Sequence, residues 1–186
     1  MRMPTKNLFT ILIHHSFNTH HMKKYIKPVL WGLLVVLVLI QFVKPARNQS
    51  NDETYGIHTK YAVPQEVDAV LKTACNDCHS NYTVYPWYAN VQPVAWFLAS
   101  HVDEGKHHLN LSEFTKRRVA VQNHQFDEII EMIKEDEMPL TSYTLIHRDA
   151  KLSDAQKQLV INWAQSMMDT LKATYPADSL VLKRRG

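Results

Sequence analysis

Residues 75–79 of the chain read Cys-Asn-Asp-Cys-His, and this stretch decides how the rest of the sequence is interpreted. On a helical turn, positions i, i+3 and i+4 share one face. Cys75, Cys78 and His79 therefore present two thiols and an imidazole to the same flat object. Thiols can add to the two vinyl groups of a haem, an imidazole can bind its iron, and C-x-x-C-H is the spacing of covalent haem attachment. The sequence thus predicts one haem c.

Two other chemistries use closely spaced cysteines. A thioredoxin-like dithiol needs a βαβ context, and the sequence shows no convincing strand. A structural zinc site needs four ligands, whereas the chain has only two cysteines and hence no second pair. A secreted disulfide scaffold would contain more cysteines at wider spacing. Haem attachment is the interpretation that these comparisons favour.

The iron ligand on the side opposite His79 is predicted to be Met138. It precedes Pro139, directly after a helical stretch around residues 126–134, so it should lie on a loop stiffened by proline. Methionine opposite a proximal histidine is a common cytochrome arrangement that raises the reduction potential. A methionine that only fills a core gap is the alternative for this residue. The rival ligands are the histidines downstream of the motif: His101, His107, His108, His124 and His147.

Local patterns around the motif predict an all-α, cytochrome c-like domain. Pro64 opens a helix whose apolar positions recur at spacings of three and four, and this helix leads into Cys75. A capping box at Ser153–Gln156 begins the last helix, which is expected to pack across the first. Two further helical stretches lie around residues 93–101 and 126–134. The aromatic residues 80–88 are expected to line the haem pocket.

An apolar run from Tyr25 to Val43 follows Lys23, Lys24 and Lys27. Roughly 20 apolar residues can cross a membrane, and the preceding lysines keep the N-terminus in the cytoplasm. A cleaved signal peptide is the alternative, and either one exports the C-terminal part of the chain. Because c-type haem is attached outside the cytoplasm in bacteria, export agrees with the motif. The expected location is the bacterial inner membrane, single-pass, with the haem domain facing the periplasm.

The predicted organisation has five segments. They are a cytoplasmic N-terminal segment (1–24, in which Met22 offers an alternative start), the anchor or signal segment (25–43), a linker (44–60), the haem domain (61–175) and a tail (176–186).

Charge is distributed unevenly along the chain. Residues 1–50 hold seven Lys or Arg and no Asp or Glu, whereas residues 51–186 hold fourteen basic against eighteen acidic residues. An acidic folded part argues against nucleic-acid binding. The acidic run Glu135–Glu137 next to the proposed ligand is a candidate docking surface for a basic or membrane-bound redox partner.

The chain resembles the bacterial haem-binding domain family, a set of exported monohaem proteins. The likeness covers roughly residues 60–172, and it implies covalent haem at Cys75 and Cys78, His79 as an iron ligand and Met138 as the natural candidate opposite. It rests on the segments 75–88, 92–96, 101–105, 109–114 and 137–140, and on Tyr143, His147, Ala150, Leu152 and Ser153.

The expected function is one-electron transfer by a membrane-anchored monohaem c-type cytochrome, an electron carrier rather than an enzyme. Two alternatives stay open. In one, the distal ligand is labile or absent and the domain senses a gas or handles peroxide. In the other, the domain is the haem subunit of a respiratory complex.

Overall fold

The computed structural model of the chain describes residues 19–182, with side chains from residue 24. Within this range the protein is helical, as predicted, and it contains no strand beyond one isolated bridge between Gln49 and Tyr82. The α-helices of the described range are α1 (Thr19–Ile40), α2 (Gln65–Ala74), α3 (Asn76–His79), α4 (Val94–His108), α5 (Val119–Lys134), α6 (Thr141–Thr144) and α7 (Asp154–Thr174). Short 3-10 turns occupy Ile57–Thr59, Trp87–Asn90, Phe114–Lys116, Arg148–Ala150 and Ala177–Ser179.

The chain divides into two compact units at Val43, and α1 belongs to the first. Across the part of the chain that the structure describes, no helix is long and apolar enough to cross a membrane. The uncharged part of α1 begins only after Lys27 and ends with the helix at Ile40, which is shorter than the roughly 20 residues that a span needs. The predicted spanning helix over residues 25–43 is therefore not confirmed. Residues 1–18 of the predicted N-terminal segment lie outside the described range.

The second unit begins with a segment that the sequence suggested was a linker. Asn48 fixes it: its Nδ2 donates to the Ser80 carbonyl (2.8 Å) and to Thr83 Oγ1 (2.9 Å), and its Oδ1 accepts from Lys106 Nζ (2.6 Å). Its backbone N–H donates to Tyr85 Oη (2.9 Å). Residues 44–53, here called the strap, thus pack on the loop that follows α3, because one amide side chain satisfies three partners there.

Helix α2 forms as its apolar spacing predicts. Pro64 is its N-cap residue, with φ −57°, and Val67, Val70 and Leu71 are buried. Proline suits this position because the first helical N–H groups have no partner within the helix. The helix ends at Ala74 and therefore delivers Cys75 directly.

The last helix, α7, also begins as predicted. Ser153 Oγ accepts from the Gln156 N–H (3.3 Å), and Gln156 Oε1 accepts from the Ser153 N–H (2.9 Å), which completes the capping box. Helix α7 packs on α5 and on α2. Trp163 Nε1 of α7 donates to the Ala62 carbonyl (3.0 Å) just before α2, so the first and last helices of this unit meet as expected.

Aromatic side chains fill the centre of the core. Tyr61 meets Phe114 and Phe126 edge-on, with centroids 5.6 and 5.1 Å apart, and Phe126 meets Trp163 edge-on at 5.6 Å. These edge-to-face contacts add to the apolar burial of the rings. Leu180, in the predicted tail, also belongs to this core, although the other described tail residues are exposed; residues 183–186 lie outside the described range.

Helices α4 and α5 are longer than the sequence predicted. Helix α4 continues past Gly105 to His108, and α5 begins at Val119 rather than near Phe126. Glycine in a helix interior costs about 1 kcal/mol relative to alanine. In α4 this position serves a contact with the turn that carries the two cysteines.

Candidate functional site

Residues 75–79, here called the attachment turn, consist of Cys75 and the short helix α3, and they follow α2 directly. Cys75 is both the C-cap residue of α2 and the N-cap residue of α3, with φ −123° and ψ −43°. Its carbonyl accepts from the N–H groups of Cys78 (3.2 Å) and His79 (2.9 Å). These bonds close a single helical turn that holds both thiols and the imidazole, and the two cysteines are not joined by a disulfide.

Burial keeps both thiols protonated. It raises the pKa of Cys75 to about 12, with a smaller contribution from Cys78, and it raises the pKa of Cys78 to about 11, with a smaller contribution from Asp77. Dithiols that act in redox exchange have lowered thiol pKa values. The surroundings of this pair are therefore the opposite of what a thioredoxin-like active site requires.

His79 is positioned to use one particular ring nitrogen. Its Nδ1 lies 3.0 Å from the Leu109 carbonyl oxygen, which can only accept a hydrogen bond, so Nδ1 carries the proton and Nε2 keeps its lone pair. Burial lowers the pKa of His79, partly opposed by the carbonyls of Leu109 and Gly105. A neutral imidazole whose Nδ1–H is held by a carbonyl is the usual form of a metal-binding histidine.

Helix α4 approaches the attachment turn through Gly105. A Cβ atom at this position would lie 2.6 Å from the Cys78 carbonyl oxygen and 3.1 Å from Cys78 Cβ, so only glycine permits this packing. The close approach brings the end of α4 to His79, where the Leu111 N–H also donates to the His79 carbonyl (2.7 Å). Gly105 was not among the residues to which the sequence assigned a role. A glycine inside an otherwise helical run was the available signal.

Asp77, between the two cysteines, connects the attachment turn to two other segments. Its Oδ2 accepts from Tyr143 Oη (2.8 Å) and its Oδ1 from the Val84 N–H (3.0 Å). Its carbonyl accepts from Thr83 Oγ1 (2.6 Å). No role for Asp77 or Tyr143 was predicted from the sequence, because they are far apart in the chain and only the fold brings them together.

Met138 lies in the loop between α5 and α6, as predicted, and is half-buried. Helix α5 ends in a Schellman turn: the Glu137 N–H donates to the Met132 carbonyl (3.0 Å) and the Asp136 N–H to the Ile133 carbonyl (3.4 Å). Asp136 takes the left-handed conformation of that turn, with φ 59°. The turn fixes where Met138 leaves α5, but its assignment as an iron ligand stays a prediction.

The rival histidines differ in what their rings contact. His101 Nδ1 lies 2.8 Å from the Phe97 carbonyl of its own helix, and His107 is exposed. The other three have Nε2 occupied, in the pairs His108–Glu104 (3.0 Å), His124–Glu128 (3.4 Å) and His147–Tyr88 (2.7 Å).

The donor set suits haem better than a simple metal site. Within the described range, no group of three or more His, Cys, Asp or Glu side chains is arranged to hold a metal ion. Two unpaired thiols and a neutral imidazole with Nε2 available are the groups that a c-type haem uses. The predicted aromatic lining stays a prediction: Trp87 is 79% exposed, and the hydroxyls of Tyr85 and Tyr88 bond to Asn48 and His147.

Of the three comparisons with known proteins, the one with family models agrees with the donor set. Comparison with curated proteins and with solved structures found no match. The cytochrome c-like topology therefore stays a prediction within the all-α class. The model of the haem-binding domain family matches residues 35–166, which cover most of the chain and include the whole attachment turn. The chain belongs to the haem-binding domain family.

Proposed function

We propose that the second unit is an exported monohaem c-type cytochrome domain that transfers single electrons. Cys75 and Cys78 would hold the haem covalently, His79 would bind its iron, and Met138 is the proposed second iron ligand. The observation that carries the proposal is the attachment turn, in which the His79 ring is held through Nδ1 by Leu109. When bound, haem supplies an iron that cycles between two oxidation states.

The residues around His79 suit electron transfer because they limit movement. The Leu109 carbonyl fixes the ring, and the Leu111 N–H fixes the His79 backbone. A ligand held at both its ring and its backbone has little freedom to reorganise when the charge on the iron changes. The proposal requires no substrate, and we accordingly propose an electron carrier rather than an enzyme.

Covalent attachment is tested by haem retention. In the purified full chain, haem should survive acid-acetone extraction and denaturing electrophoresis, and the Cys75→Ala/Cys78→Ala double variant should lose it. The His79→Ala variant separates iron ligation from attachment, because both thiols remain. Covalent haem in the double variant, or none in the wild type, would contradict the proposal.

The distal ligand is tested by the visible spectrum. A charge-transfer band from methionine–iron bonding should be present in the oxidised wild type and absent from Met138→Leu. Met167→Leu is the matched control, since Met167 lies in α7, partly buried against the core. If Met138→Leu keeps the band, another methionine is the ligand. If the wild type lacks the band, a histidine takes this role, and His101 and His107 are the next variants to examine.

A labile distal ligand is the second candidate, and it corresponds to a gas-sensing or peroxide-handling domain. It is favoured by the loose packing after Met138, where no residue of α6 is buried. Carbon monoxide separates the two candidates. Rapid binding to the reduced protein indicates an open or easily vacated position, whereas binding at a stable methionine ligand is slow.

We also propose export to the periplasmic side of the inner membrane and a basic redox partner. Covalent haem attachment outside the cytoplasm and the apolar half of α1 support export. The exposed Glu135, Asp136 and Glu137 support the partner, although Lys157 contacts Asp136 and offsets one charge. A C-terminal reporter that is active only after export tests location. The mass of the mature chain tells whether residues 25–43 are retained as an anchor.

A further inference from the structure

The segment after Met138 is not held to the domain by apolar burial. None of the residues Thr141–Thr144 is buried, and Leu145 and Ile146 are 70% and 63% exposed. Buried apolar side chains are the usual means by which a loop is fixed. Residues 138–147, here called the distal segment, must therefore be held in place mainly by polar contacts.

Tyr143 supplies a polar contact that reaches the attachment turn itself. Its hydroxyl donates to Asp77 Oδ2 at 2.8 Å, and Asp77 stands between Cys75 and Cys78. The same carboxylate accepts the Val84 N–H through Oδ1 (3.0 Å), so its orientation is fixed from the other side. A hydrogen bond to a charged group is worth about twice a neutral one.

The ring of Tyr143 is itself held in position. It stacks on His147 with centroids 4.3 Å apart and planes at 11°. His147 Nε2 in turn lies 2.7 Å from the Tyr88 hydroxyl, on the 3-10 turn Trp87–Asn90. The ring is thus stacked on a residue bonded to a second, separate element, and its hydroxyl is directed at Asp77.

We propose that Tyr143 is a positioning residue that holds the distal segment, and with it Met138, against the attachment turn. The inference rests on the proposed function, since it assigns Tyr143 a role only if Met138 faces the haem. Tyr143 lies five positions after Met138, and its N–H donates to the Leu140 carbonyl (3.0 Å). Fixing Tyr143 therefore also fixes Leu140, and only Pro139 separates Leu140 from Met138.

The consequence concerns how easily Met138 is displaced. Without the Tyr143–Asp77 bond, the distal segment should move away from the turn more often, and an external ligand should compete better for the position of Met138. Tyr143→Phe removes only the hydroxyl and keeps the ring on His147. Tyr61→Phe is the matched control, because it removes the same group from a core ring whose hydroxyl bonds to Gln122 of α5.

The experiment compares wild type, Tyr143→Phe and Tyr61→Phe as purified full-length protein. We expect imidazole to bind oxidised Tyr143→Phe about tenfold more tightly than wild type, because the variant lacks one charge-assisted hydrogen bond that holds the distal segment in place. Hydrogen exchange should also be about tenfold faster for the Thr144 and His147 amides, which bond to the Leu140 (3.0 Å) and Tyr143 (2.9 Å) carbonyls. Tyr61→Phe should match wild type in both measurements.

The two failures can be told apart. If Tyr143→Phe equals Tyr61→Phe in imidazole affinity and in hydrogen exchange, the positioning role is refuted, whether or not haem is attached. If the wild type carries no covalent haem on a denaturing gel, the proposed function is refuted, and the exchange rates alone then decide whether Tyr143 holds the distal segment.

Discussion

Replacing Gly105 with alanine tests whether the close approach of α4 positions His79. The added Cβ would lie 2.6 Å from the Cys78 carbonyl oxygen, a backbone atom that cannot rotate away. Ordinary contact begins at about 3.4 Å, so α4 and the attachment turn must separate by about 0.8 Å. A shift of that size along the Nδ1–oxygen direction would stretch the 3.0 Å bond between His79 and Leu109 beyond hydrogen-bonding distance.

The expected loss of stability combines three effects. Overpacking costs about 1–3 kcal/mol, and losing the hydrogen bond costs about 0.5–1.5 kcal/mol. The better helix propensity of alanine returns about 0.5–1 kcal/mol. We expect Gly105→Ala to lower the unfolding free energy by about 2 kcal/mol, equivalent to about 4–8 °C in Tm for a chain of this size.

The haem should report the same change independently. The Nδ1–H bond makes the His79 ring a stronger electron donor to the iron that it is proposed to bind. Because this favours the oxidised iron, loss of the bond should raise the reduction potential. The shift is bounded by the hydrogen bond's own free energy, at most about 60 mV for one electron.

Gly32→Ala is the matched control, because a Cβ there meets nothing within 4 Å. Calorimetry and potentiometry on both variants and on wild type complete the test. If Gly105→Ala is as stable as wild type and its potential is unchanged, the idea that this glycine positions His79 is refuted.

Other parts of the second unit give three more predictions. Asp136→Ala should cost about 1–2 kcal/mol, because alanine is strained at φ 59°, whereas Asp136→Gly should be tolerated; thermal unfolding of both checks this. Burial raises the pKa of Tyr61 to about 12, so the folded state keeps a proton that the unfolded state loses above pH 10. Stability should therefore fall between about pH 10 and 12, and denaturant titration should show a shallower fall in Tyr61→Phe. Neutralising Glu135 and Glu137 to glutamine should flatten the ionic-strength dependence of electron transfer to a basic acceptor; equal slopes in stopped-flow measurements would leave these residues as ordinary surface.

The features that were predicted correctly from the sequence depend on neighbours in the chain. The Ser153–Gln156 capping box and the apolar face of α2 are set by residues three or four positions apart. The helical turn at residues 75–79 is equally local, since both thiols and the imidazole lie within five residues, while their roles as haem ligands stay predictions. Such patterns can be recognised without knowledge of the fold, because the helix itself determines which side chains share a face.

The features that were missed depend on contacts between distant residues. Gly105 has the appearance of a helix interruption, and the helical stretch around residues 93–101 was predicted to end before it. The reason for a glycine here becomes apparent only when the fold places Cys78 against it. Asn48 stands in a polar, unpatterned segment, and nothing local indicates that Ser80 and Thr83 are its partners. The long apolar run was interpreted as a span, although the lysines before it and the end of α1 at Ile40 leave it too short.

The two sides of the attachment turn are held by different kinds of contact, and this difference bears on the two candidate functions. On the His79 side, a backbone carbonyl and a backbone N–H are brought in by α4 at a distance that only glycine allows. On the other side, a single side-chain hydrogen bond from Tyr143 reaches Asp77, and α6 has no buried residue to support it. Contacts to backbone groups at the end of a packed helix open rarely, whereas a side-chain bond from a segment without buried residues opens far more often. The proximal arrangement thus suits either function, and the Tyr143–Asp77 bond decides whether the opposite position stays closed, as an electron carrier needs, or opens to an external ligand.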